Sequence, residues 1–133
     1  MTIAINDLDS EDVTVTLNIA NGAQLTQVMD CGGFYPAAIL MPAAMTATAL
    51  TLEVSADNVT FGVLNTPAGA PYAVNFTASV FVGLSPISTV DLFLKDNCPR
   101  YIRFRSTTAG AGTNEGAARV YTLVMRPNPN RRP

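Results

Sequence analysis

Apolar and polar residues alternate with a period of two in one segment after another, and no stretch sustains the 3.6-residue apolar stripe of a surface helix. Val13, Val15, Leu17 and Ile19 are interleaved with Thr14, Thr16 and Asn18, the pattern of a strand with one dry and one wet face. Asn21 and Gly22 follow as a turn signal, since both tolerate the left-handed backbone of a tight hairpin. Residues 26–31 resume an extended pattern that Gly32 and Gly33 stop, and 37–41 reads as a buried strand ended by Pro42. Residues 50–55 alternate again, Ala56, Asp57 and Asn58 turn the chain, and 60–64 returns as the hairpin partner. Further strands are expected at 72–76, 79–84, 100–105 and 117–125, with 87–94 read as a turn and 109–116 as a flexible loop.

Roughly eight or nine short strands separated by regular turn signals predict an all-β chain folded as a single antiparallel β-sandwich, with jelly-roll connectivity. Residues 1–12 read as an N-terminal arm, 13–126 as the sandwich and 127–133 as a C-terminal tail. Pro127, Pro129 and Pro133 argue against regular strand pairing in that tail.

Composition changes the picture in one respect. Of the 133 residues 48% are hydrophobic and only 14% are charged, against about a quarter charged in ordinary soluble proteins. A surface so poor in charge suits a protein partly covered by copies of itself or by a partner. The net charge of −2 excludes a generally basic nucleic-acid binder. Charge is unevenly placed, with Asp7, Asp9, Glu11 and Asp12 at the start and Arg126, Arg131 and Arg132 at the end. These ends are expected either to meet between neighbouring subunits or to be solvated. Arg126, Arg131 and Arg132 are therefore candidate partner contacts, together with the aromatic pair Phe34 and Tyr35.

The chemistry available is narrow. The chain has no histidine, which removes the commonest general base and metal ligand together, and the carboxylates show no catalytic spacing. No catalytic residue, metal or cofactor is expected. Asp57 with Asn58 and Asp96 with Asn97 offer loop oxygens that would suit calcium, but such residues are the ordinary choice for turns, and the turn reading is preferred. Asn58 and Asn75 match a glycosylation pattern that needs a secretory context, and the sequence offers no signal for one. On the same ground Cys31 and Cys98 are expected to stay reduced. Residues 31–52 carry no charge, yet Gly32, Gly33, Pro36 and Pro42 interrupt them, so they read as strands and not as a membrane span.

Two segments carry a resemblance. LTLEVSADNVTFGVL (50–64) resembles the hairpin of discoidin-like jelly rolls, and PRYIRFRST (99–107) resembles their later strand. Phe61 stands where that family usually has tryptophan, and no glycan- or lipid-binding residue is carried over. More of the chain is similar to small proteins encoded among tailed-bacteriophage structural genes. The shared order is the turn Asp30, Cys31, Gly32, Gly33, the run from Met41 through Pro42, Ala43 and Ala44, the hairpin with Leu52, Val54, Ser55 and Asp57, and the strand from Arg100 to Phe104. This resemblance implies a virion component. The first expectation is a head decoration or cement protein that self-associates, with trimers favoured, and binds major-capsid subunits. A tail, neck or fibre-attachment role is the nearest alternative, and a carbohydrate-binding module a third.

Overall fold

A computed structural model of the chain describes residues 12–65, 68–84 and 100–127. Every regular element in them is a β-strand: β1 (Val13–Ile19), β2 (Met29–Asp30), β3 (Phe34–Leu40), β4 (Ala49–Ser55), β5 (Gly62–Val63), β6 (Ala73–Asn75), β7 (Phe81–Gly83), β8 (Tyr101–Thr108), β9 (Ala111–Gly112) and β10 (Arg119–Pro127). The turn expected at 87–94, the loop with Asp96 and Asn97, Cys98, Arg131 and Arg132 lie outside the described residues.

Two antiparallel sheets form. One has the order β1-β10-β3-β7; the other has β2-β8-β4-β5, with β6 also on β4 and β9 on β8. The ladders are nested: β1 pairs with β10, β2 with β8, β3 with β7, and β4 with β5 and β6. A long antiparallel hairpin folded across itself gives this nesting, with β1 to β4 alternating between the two sheets and β6, β7 and β8 alternating on the way back. The expected antiparallel β-sandwich is thus formed, with its ladders nested as in a jelly roll.

The dry side of each strand fills the space between the sheets. Leu17, Ile19, Ile39, Leu50, Leu52, Ile102, Phe104, Tyr121 and Leu123 are all buried, and they form one core cluster. A bulge opposite Val124 and Met125 lets Ala38 pair with Val124 and Pro36 with Met125, so Ala37 is the extra residue.

Three expectations are corrected. Residues 109–116 are not a simple flexible loop, because Ala109 and Gly110 (φ 52° and 83°) make a two-residue turn that pairs Ala111 and Gly112 with β8. Both turn residues have positive φ, the geometry whose twist matches a hairpin. The last strand, expected at 117–125, spans Arg119–Pro127, with Arg126 and Pro127 still paired to Tyr35 and Phe34. A proline at a strand end removes no amide that an interior ladder needs. Of 26–31, only Met29 and Asp30 form a strand, with Leu25 adding an isolated bridge to Arg105.

Candidate functional site

The alternation that buries Leu17, Tyr121, Leu123 and Ile39 turns the intervening residues of the four-stranded sheet outward. Register then aligns them in rows: Thr16, Thr122, Leu40 and Phe81 across the four strands, and Thr14, Val124, Ala38 and Gly83 beside them. Asn18 and Val120 begin a third row. None of these side chains is charged. Val120 is 55% exposed and Phe81 61%, so the apolar part of this face is open to solvent.

The outer face of the six-stranded sheet is built differently. There β4 and β8 align Ala49 with Thr107, Thr51 with Arg105, Glu53 with Arg103, and Ser55 with Tyr101. Glu53 accepts from Arg103 Nε at 2.8 Å and from Arg105 Nε at 2.7 Å, and it is only 5% exposed. Arg105 also donates to Gln24 Oε1 (2.7 Å), and Gln24 donates in turn to Asn114 Oδ1 (2.9 Å). The Arg103 guanidinium lies 4.0 Å over the Phe61 ring. Burial pushes the Glu53 carboxyl upward, but the hydrogen bonds and charges of Arg105 and Arg103 outweigh it and hold the group below its ordinary value. A Cβ at Gly112 would stand 2.3 Å from Gln24 Oε1, so a larger residue there would push Gln24 out of this network. Next to it, Thr51 and Thr107 share a hydroxyl hydrogen bond (2.9 Å) in a hollow of about 350 Å³ whose lining includes Asn75 and Pro71.

A second buried carboxylate closes one end of the sandwich. Glu115 accepts from the Thr46 and Ala47 amides (2.8 and 2.9 Å), from the Ser106 hydroxyl and from Arg119 Nε (2.8 Å). Its own carbonyl and amide bond to Gly22 and Ala23, so it ties the segments around 22, 46 and 115 together. Burial raises its carboxyl, and the four donors more than reverse that, leaving it lowered. Both carboxylates are consumed by structural partners, and neither is presented to a substrate. Close by in sequence, the fully buried Tyr121 hydroxyl has no hydrogen-bond partner, and burial followed by the Glu115 charge raises its pKa above the ordinary phenol range.

Arg126 is tied to Asp12 of the same chain, Nε to Oδ1 at 3.2 Å and Nη2 to Oδ2 at 3.3 Å. Asp12 and Arg126 thus meet within one subunit, because the first and last strands are neighbours in this topology. Tyr35 is buried and Phe34 half-buried, both against the core. Among the described residues the exposed aromatic is instead Phe81, at 61% exposure. Asp57 is spent on its turn: Oδ1 accepts from the amides of Val59 and Thr60 and from the Ser55 hydroxyl, each at 2.9 Å, while Asn58 takes φ 62°. Cys31 is buried at 1% exposure.

Comparison with protein families, curated proteins and solved structures finds no match.

Proposed function

We propose that the chain is a structural protein of a tailed-phage particle, a decoration or cement protein that binds major-capsid subunits and self-associates, with trimers the favoured unit. It acts by docking and not by catalysis. The observation that carries this reading is the uncharged, partly apolar outer face of the four-stranded sheet, a surface suited to burial against protein. The low overall charge and the similarity in motif order to phage structural proteins support it further. Each contact is modest, and many copies on a lattice add up to firm attachment.

The test is quantitative mass spectrometry of purified particles. Hundreds of copies per particle are expected for a decoration protein. A handful would move the chain to the tail, neck or fibre base, and absence from particles would end the reading. The hollow beside Thr51, Thr107 and Asn75 favours a second reading, a carbohydrate-binding module. Saturable glycan binding abolished by Asn75→Ala would support it.

A further inference from the structure

We infer that two copies of the chain dock through the outer face of the four-stranded sheet, face to face about a two-fold axis. The inference rests on the self-association proposed above and names both the surface and the partner. In a two-fold contact a patch meets itself, so a charge near the axis confronts its own kind. A surface meant for a different protein has no such constraint and can use opposite charge.

Here Thr122, flanked by Thr16 and Leu40, occupies the middle of the face, with Val120 and Val124 next along β10, and no charge falls among them. Hydroxyl groups are both donor and acceptor, so threonine can always pair with its own copy, which neither an amine nor a carboxylate can do. Among the described residues the charged side chains of this face are Arg126 and Asp12, which pair with each other at the end of the sheet. Val120, two residues along β10, and Phe81, beyond Leu40 in the same row, add exposed apolar surface to this face.

The area limits the strength. Four strands at about 4.8 Å spacing and seven residues at about 3.4 Å give at most roughly 450 Å². A standard stable interface buries about 800 Å² per partner. Pairing is therefore weak in dilute solution and is favoured by the crowding of an assembly. A two-fold face contact closes as a pair, so it is separate from the contact that builds a trimer and joins one such unit to the next.

Sedimentation of the full chain tests this. The wild-type mass should double between about 10 µM and 1 mM, a range suited to weak association. Thr122→Arg alone and Val120→Arg alone should abolish the doubling, and mixing Thr122→Arg with Thr122→Asp should restore it. Val63→Asp, on the other sheet, should leave it intact. A wild-type mass that never doubles, a Thr122→Arg variant that doubles as well as wild type, or loss of doubling in Val63→Asp would each overturn the inference. Should Thr122→Arg melt earlier than wild type, Val120→Arg at a 55% exposed site decides the matter. Absence of the chain from purified particles would defeat the phage reading while leaving a positive doubling result in place.

Discussion

On the six-stranded sheet the outward positions of β4 and β8 hold Thr51, Glu53, Arg103, Arg105 and Thr107, and these side chains largely bury one another. On the four-stranded sheet the central outward positions of β1 and β10 hold Thr14, Thr16, Thr122 and Val124, with Asn18 and Val120 at one end and Arg126 at the other, and Val120 remains 55% exposed. Both faces follow from the same strand alternation, so the difference lies in which residues occupy the wet positions. One face satisfies its polar groups internally and has little left to offer a partner. The other offers mainly methyl groups and hydroxyls that can pair with hydroxyls of a partner, so it loses little when water is removed. Burying a charged face means desolvating ions, which costs several kcal/mol per ion, whereas hydroxyl and methyl groups leave water at far smaller cost.

The contrast can be broken most forcefully at the buried carboxylates. Glu115→Ala should lower stability by about 3 kcal/mol, since it strands Arg119 and leaves the Ser106 hydroxyl and two amides without an acceptor. Chemical denaturation would show this as an earlier midpoint with an unchanged slope. Glu53→Ala should cost less, about 2 kcal/mol, because Arg103 and Arg105 are 23% and 31% exposed and can turn to water. Gly112→Ala should cost roughly 1–2 kcal/mol by displacing Gln24 from Arg105. By contrast, Thr122→Arg on the neutral face should change stability by less than about 0.5 kcal/mol.

Acid should act on the same carboxylates. Glu53 and Glu115 both have carboxyls lowered in the folded state, so the stability they add is fully present above the ordinary glutamate value of about 4.3. It is lost as pH falls through their lowered folded values. With no histidine in the chain, the melting temperature should be nearly flat from about pH 5 to 8 and fall steeply below. Glu115→Gln should flatten that acid limb. An unchanged limb would mean that its carboxylate does not hold the loops.

How much of this was legible in the sequence differs from element to element. Alternation over 13–19 and 50–55 located β1 and β4, and the spacing of turn signals was enough for an antiparallel β-sandwich. The hairpin at Ala109 and Gly110 was missed because alanine at positive φ is an unusual choice, stabilised here by the pairing it permits. Glu53 was findable in part: period two places Arg103 and Arg105 on one face and Glu53 on the wet side of its strand. That they face one another depends on register between strands about fifty residues apart, which pattern does not encode. Glu115 carried no signal at all, since its partners Thr46, Ala47 and Ser106 reach it only through the closed fold. The match of Asp12 to Arg126 was hidden for the same reason: pairing of the first and last strands is a property of the topology.

The neutral-face account stands or falls most directly on salt. Association of the wild-type chain, followed by sedimentation from about 0.05 to 0.5 M sodium chloride, should be unchanged or slightly stronger, because an uncharged contact offers nothing for ions to screen. A weakening of tenfold or more over that range would mean that the charged groups, and not the threonine and valine rows, bring the copies together.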